Sequence, residues 1–417
     1  MDKILLQLSS FFRLNSKPLT IVGIALILPV LYPQYEKYIK QLIEFPSNGK
    51  KTIKPNQGRA PSSTSLLNKE FPTPVIEPVS PDFDYKTTKP YPYRPFKNGE
   101  YKMTMATRRS DASDAFVIED TYLDRTNLRA EVLDKAGDVV SGFHESGIPA
   151  VRELYDFVFD YFLKKYPMYF QLVDDGKYFY NKIRDEKHPM DNSGLTPREV
   201  INVLGRTIEE DFLIMLKNAD LEGDDCDEYV LRVACACFPA GFNPADKLNK
   251  PLTAIHGPVP QYEKRLKTSM NRFWTRLKAN EFVVRTNWAM QAHANLCAPE
   301  GSHATPEEAE DIEPVDAETL DFNKVFLRCE KQTLTRLPKS HATMIITRTY
   351  TTPLTEIRAE GRGVDLAGAI DGLPDDVAVY KNRTYWGPAA KKYLLGETNG
   401  CTDDIYKHKF VLNLDML

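Results

Sequence analysis

The sequence predicts an α+β protein, an antiparallel β-sheet with helices packed against it, preceded by an N-terminal membrane anchor. Three observations carry that expectation. Four stretches, YVLRVACACF, FVVRTNWAM, VFLRCEKQTLTRL and HATMIITRTYTTPL, are rich in β-branched and aromatic residues and partly alternate apolar with polar positions. Helical patterns lie among and before them without the regular strand–helix alternation of a doubly wound parallel sheet. Near the N-terminus stands an uncharged apolar run, LTIVGIALILPVLY, from Leu19 to Tyr32.

In chain order, residues 1–18 form an N-terminal segment carrying Lys3, Arg13 and Lys17. The apolar run that follows is shorter than the ~20 residues that span a bilayer comfortably. It lacks a small-residue cleavage site and leads into Tyr32, Tyr35 and Tyr38, which suit an interfacial belt. The expectation is therefore an uncleaved single-pass anchor at 19–38. More basic residues follow the run than precede it, so the positive-inside rule faces the body of the chain to the cytosol, with the endoplasmic reticulum as the expected membrane. Six cysteines at irregular spacing agree with a reducing compartment, and Cys235-Ala-Cys237 has the wrong spacing for a zinc knuckle.

Residues 39–89, rich in Pro, Ser, Thr and Lys, read as a flexible linker, and 90–417 as one globular domain. Within that domain, Val151–Tyr166 shows a wide apolar helical face and stops before Pro167. Thr196-Pro-Arg-Glu199 carries a capping box with proline at the first helical position. Gln261–Ala279 places Tyr262, Leu266, Met270, Phe273 and Leu277 at helical spacing. The acidic stretch 298–321 reads as a mobile surface insertion between two strands.

The 42% hydrophobic and 27% charged residues are ordinary globular composition, and a net charge of -4 without a long basic stripe gives no reason to expect a nucleic-acid partner. No G-x-G-x-x-G follows a strand, and no P-loop, G-x-S-x-G or H-E-x-x-H occurs. One residue stands out against this background. His256 closes an apolar approach (Leu252, Ala254, Ile255), expected to be a strand end, just before a stiff turn containing Gly257, Pro258 and Pro260. Two readings of it stand: a core histidine bonded to a backbone carbonyl, or a histidine that holds a ligand.

Several stretches together resemble one family: PYRPFKNGEYKMTMATRRSD, AFVIEDTYLDRTNLRAEVL, CFPAGFNPADKLNKPLTAIHGPVPQYEKRL, VRTNWAM and LRCEKQTLTRLPKSHATMIITRTYTTPL. In order and wording they are similar to the haem-dependent oxidative N-demethylase family, alpha-subunit-like, over Pro90 to Leu354. The resemblance implies a PAS-like antiparallel sheet holding haem b, and oxygen-dependent removal of a methyl group from a small amine. It also implies electrons from an external flavin and iron–sulfur reductase, which fits a chain with neither a dinucleotide fingerprint nor a cluster-binding cysteine set. The anchor and the acidic insertion depart from a soluble bacterial pattern and mark this chain as a fungal-type, membrane-anchored member.

On that resemblance His256 becomes the axial iron ligand, with His341 as its rival. Arg265, Arg336 and Arg348 are the candidates to hold the haem propionates, a task suited to paired guanidinium donors. Tyr350 and Asn287, with Trp288, are the candidates for the distal wall facing substrate or oxygen. Asp120 and Tyr122 read as structural. Two other classes of function remain open from sequence: a non-catalytic PAS-like haem or gas sensor, and a membrane-anchored scaffold that has lost the cofactor.

Overall fold

Period-two alternation in the strand-forming stretches sets the architecture. The computed structural model describes residues 72–217, 228–299 and 302–401, which lie in one unit, Glu70–Leu417. The strands among them are β1 (Arg108–Arg109), β2 (Ser141–Phe143), β3 (Phe170–Val173), β4 (Tyr178–Asn181), β5 (Glu186–Pro189), β6 (Asp211–Lys217), β7 (Tyr229–Cys235), β8 (Val283–Gln291), β9 (Phe326–Arg336) and β10 (Thr343–Pro353). A seven-stranded sheet runs in the order β1-β8-β9-β10-β6-β7-β2, and β3-β4-β5 form a separate meander. Every pairing in the large sheet is antiparallel.

The helices form where capping and apolar spacing agree. Ile148–Lys165 begins with Pro149 in its first turn and ends with Lys164 and Lys165, which favour the negative end of the helix dipole. Its apolar face, Val151, Leu154, Tyr155, Val158, Phe159 and Phe162, is almost entirely buried, each such side chain contributing ~1.5–3 kcal/mol. Pro197–Thr207 starts with the expected capping box, Thr196 and Glu199 bonding reciprocally. The Gln261–Ala279 helix differs in detail: a π-helical turn, Tyr262–Leu266, precedes a shorter α-helix, Lys267–Arg276. The wider turn sets the buried stripe at Tyr262, Leu266, Met270 and Trp274, leaving Phe273 only partly covered.

The sheet has two unlike faces. Cross-strand neighbours share a face, so Arg285, Gln332 and Thr347 project together, as do Asn287, Glu330 and Thr349. The opposite face carries Thr286, Lys331 and Arg348, then Trp288, Cys329 and Tyr350. That second face is closed. Phe212, Ile214, Met344 and Ile346 pack there against Tyr122, Val151, Leu154 and their neighbours, and Trp288, Met290 and Tyr350 pack against the C-terminal helices. The first face is covered at both ends, where Val283 and Leu334 meet Tyr262, Leu266, Met270 and Trp274, and where Arg328, 1% exposed, donates to the Leu296 and Phe238 carbonyls.

Two expectations change. The last part of the expected linker belongs to the body: Ile76 and Tyr85 are buried, and the Tyr85 ring meets Tyr169 edge-on at 5.2 Å. Aromatic residues in that stretch find partners, which its Pro-rich composition concealed. The acidic insertion does lie between β8 and β9, yet it is pinned, with Ala298, Ser302, Ala304 and Ala317 buried and a capped turn at Pro306–Glu310. Among the described residues no helix is long and apolar enough to cross a membrane; the expected anchor at 19–38 lies outside them.

A buried charge cluster locks the closed face. Arg348 Nη1 donates to Glu210 at 2.9 Å and to the Val117 carbonyl at 2.9 Å, while Nη2 donates to Glu209 at 3.0 Å and to Glu119. Removing this cation leaves three buried carboxylates with weaker support, from Arg125 at 3.8 Å and the Thr121 hydroxyl for Glu209 and from single backbone N–H groups for Glu119 and Glu210. Arg348→Met is expected to lower unfolding stability by ~3–5 kcal/mol, whereas Arg265→Ala, at an exposed position, should stay within ~0.5 kcal/mol of wild type. Urea denaturation of both variants checks this, and equal midpoints would contradict it.

Candidate functional site

The His256 turn is built locally. Leu252–Ile255 is a single helical turn rather than a strand end, and His256 is its C-cap. Its Nδ1 lies 2.8 Å from the Leu252 carbonyl; a carbonyl only accepts, so Nδ1 carries the proton and Nε2 keeps its lone pair. The backbone then doubles back through Pro258 and Pro260 to Gln261, held at φ +58°. This brings the Tyr262 ring flat against the imidazole, with centroids 4.7 Å apart and planes 7° apart. Thr253 in the same turn is fixed by buried Glu228, which accepts from its backbone N–H at 3.2 Å and from its hydroxyl. Burial pushes the His256 pKa below the ordinary histidine value; the Leu252 carbonyl opposes this and the positive charge of Arg285 adds to it. The ring is therefore neutral near pH 7, the form that binds metal.

Between the two covered ends of this face lie Arg285, Asn287 and Glu330, each only half-buried. Arg285 is half-buried, and its side chain has no hydrogen-bond or ion-pair partner among the described residues; its Nε is fully buried and unsatisfied. Glu330 receives only long bonds, from Arg328 Nε and Gln332 Nε2, both at 3.4 Å. Lys381, 5% exposed, reaches the edge of β8. Its Nζ donates to the Trp288 carbonyl at 2.7 Å and to Asn287 Oδ1 at 3.3 Å. Burial pushes the Lys381 pKa down to about 8, with Glu330 opposing and Arg285 reinforcing the shift.

The same backbone turn borders a cavity. Residues flanking Lys381 are Tyr380, whose ring stacks on His303 at 4.2 Å, and Asn382, which lines a space of about 620 Å³ together with Gly241, His303 and Glu308. That volume lies in the range of small-molecule sites. His303 Nδ1 lies 3.3 Å from the Gly241 carbonyl, and burial, with Lys381 adding, pushes its pKa down to about 4. Gly241, at φ +72°, is required there, since a Cβ would stand 1.9 Å from the His303 ring.

The residues singled out from sequence are dispersed. His256 and Asn287 belong to the partly covered side of the sheet. Arg348 and Tyr350 are on the closed face, Arg348 in the carboxylate cluster and Tyr350 stacked on Tyr93 at 5.3 Å. Trp288 packs in the closed-face core. Arg336 spends its donors on the Leu277 carbonyl at 2.8 Å, the His341 carbonyl at 3.0 Å, Tyr229 Oη at 2.8 Å and the Trp274 carbonyl. Arg265 is exposed. His341 occupies a turn at φ +56°. Asp120 pairs with Lys89 at 2.7 Å, and Tyr122 donates to the Thr207 carbonyl at 2.7 Å, so both are structural. Sequence reasoning missed Arg285, Glu330, Lys381 and His303. Alternation in VVRTNWAM held a signal for the first, because Arg285 and Asn287 are two residues apart on one strand.

Lys381 holds its proton less tightly in the folded chain than in the unfolded one. Stability therefore rises as pH climbs from about 8 towards the ordinary lysine value of 10.5. Across that window wild type should gain about 3 kcal/mol relative to Lys381→Met, at ~1.4 kcal/mol for each pH unit crossed. Urea denaturation of both proteins at the two ends of the window measures it; parallel profiles would contradict the assignment.

Comparison with known families bears on this geometry. Residues 106–391, well over half of the chain, match the family described as "Haem-dependent oxidative N-demethylase, alpha subunit-like". The match contains the whole seven-stranded sheet, the His256 turn, Arg285, Asn287, Glu330 and Lys381. The chain belongs to the haem-dependent oxidative N-demethylase, alpha subunit-like family.

Proposed function

We propose that this protein is a haem-b oxidoreductase that uses oxygen to oxidise a small amine at a carbon beside nitrogen, by N-demethylation or a similar reaction. The observation that carries the reading is His256: a neutral imidazole, its Nδ1 proton engaged by a backbone carbonyl, its Nε2 lone pair unspent. A second observation fits the same group. Arg285 is a half-buried guanidinium without a protein partner among the described residues, suited to a haem carboxylate. The fold is read as PAS-like, since the helical segments Leu252–Ile255, Tyr262–Leu266 and Lys267–Arg276 between β7 and β8 pack on one side of a five-strand antiparallel core, β8-β9-β10-β6-β7.

Bound haem supplies the iron chemistry with oxygen that no side chain of this chain supplies. The chain's own residues do the rest. The Leu252 carbonyl and the Tyr262 ring hold the His256 plane in one orientation. Arg285 holds a carboxylate edge by paired donors. Glu330, a weakly engaged carboxylate on the same face, attracts a protonated amine, and Asn287 offers the neighbouring polar contact. Electrons come from a separate flavin and iron–sulfur reductase, since the sequence carries neither a dinucleotide fingerprint nor a cluster-binding cysteine set. The run Leu19–Tyr32 supports a membrane tether with the domain facing the cytosol at the endoplasmic reticulum.

Haem titration followed by absorption spectroscopy tests this. Wild type should show a Soret band and bind carbon monoxide when reduced, and His256→Ala should lose both the band position and most of the bound haem. Arg285→Ala should weaken haem binding about tenfold to a hundredfold, the loss of a charge-assisted bond worth ~1.5–3 kcal/mol, while Arg265→Ala should bind as wild type. A His256→Ala protein with wild-type spectrum and haem content would defeat the reading.

A further inference from the structure

We propose that Lys381 is a positioning residue that holds the Asn287 amide in a single orientation, with its Nδ2 donor turned away from the strand edge and towards the face of Arg285 and Glu330. The site thereby presents a donor, and selects an acceptor atom, an oxygen, in whatever ligand contacts that point.

β1 pairs with β8 only at Val283 and Val284, so farther along β8 the Trp288 carbonyl has no strand partner on that side. Lys381 Nζ fills the place at 2.7 Å and spends a second proton on Asn287 Oδ1 at 3.3 Å. An ammonium has three donors and no acceptor, so the amide atom it meets must be the oxygen. Nδ2 is then the other arm, and among the described residues it has no hydrogen-bond partner. Lys381 cannot wander from this role. It is 5% exposed, its own carbonyl accepts from Trp386 Nε1 at 2.9 Å, and its Nζ lies 5.6 Å from the Trp288 ring centroid. The directly opposed residue on β9 is Glu330, which can accept from an amide N–H but cannot donate when ionised. Lys381 on one side and Glu330 on the other favour the same orientation. With a pKa of about 8, Lys381 is mostly charged at neutral pH.

The orientation itself is measurable without any cofactor. In protein labelled with ¹⁵N-asparagine, the Asn287 side-chain signal is identified by its loss in Asn287→Asp. Lys381→Met should move that signal and speed its exchange with solvent on the order of tenfold, as expected for losing one charged donor worth ~1.5 kcal/mol. Lys381→Arg, which keeps a donor, should stay close to wild type, and the other asparagine signals report that each variant is folded. A Lys381→Met signal superimposed on wild type overturns the proposal, as does an equal displacement in Lys381→Arg. If Lys381→Met does not fold, wild type alone decides: Nδ2 protons showing stronger Overhauser contacts to Glu330 than to Lys381 support the orientation, and the reverse overturns it. The choice of an oxygen-bearing ligand rests on the haem reading above. In the reduced, carbon-monoxide-treated protein, Lys381→Met should raise the C–O stretching frequency, and an unchanged frequency removes the donor role towards ligand. Absence of any Soret band defeats the haem reading and leaves the amide measurement to judge the orientation.

Discussion

A β-strand sends successive side chains to opposite faces, and here that constraint separates two arginines of very different surroundings. Arg348 and Arg285 both sit on strands of one sheet, yet they face opposite ways. Arg348 is enclosed by Glu119, Glu209 and Glu210, and both of its terminal nitrogens are spent on them. Arg285 has no hydrogen-bond or ion-pair partner among the described residues; a buried, unsatisfied Nε is common to both arginines, and what sets Arg285 apart is that its terminal nitrogens are unspent as well. Leaving a buried donor unmet costs ~1–3 kcal/mol, which the oxygen atoms of a ligand would offset. Arg328, on the same face as Arg285, is also buried and spent on the Leu296 and Phe238 carbonyls, so it is the middle of that face, at Arg285, where donors stay open.

The two readings of His256 do not exclude one another. A core histidine bonded through Nδ1 to the Leu252 carbonyl still keeps its Nε2 lone pair. The proline-containing turn matters through what it returns to. By way of Gln261 at φ +58° it brings Tyr262 flat on the imidazole, and the π-helical turn that follows keeps Tyr262 and Leu266 buried together. Glu228 supports the arrangement from the other side by holding Thr253.

Much of the fold was legible because alternation and capping are local. The four strand stretches became β7, β8, β9 and β10, and the Thr196 capping box formed as spelled. The His256 turn was less legible, since a four-residue apolar run suits a strand or a helical turn equally. The arginines were least so. Whether a guanidinium is spent or free depends on chain segments far away in sequence: Glu119 and Glu209 for Arg348, the Leu277 and Trp274 carbonyls for Arg336. No spacing rule reports that. Lys381 was invisible for a related reason, because its partners on β8 are more than ninety positions away.

The proposed function requires haem to sit on the half-buried patch of the sheet around Arg285, with the His256 turn beside it. A crystal structure of the haem-loaded protein tests it most directly. The account predicts iron bonded to His256 Nε2, with a haem carboxylate on the Arg285 guanidinium. Iron bonded to His303 or His341, or haem seated against Tyr350 on the closed face, would contradict it.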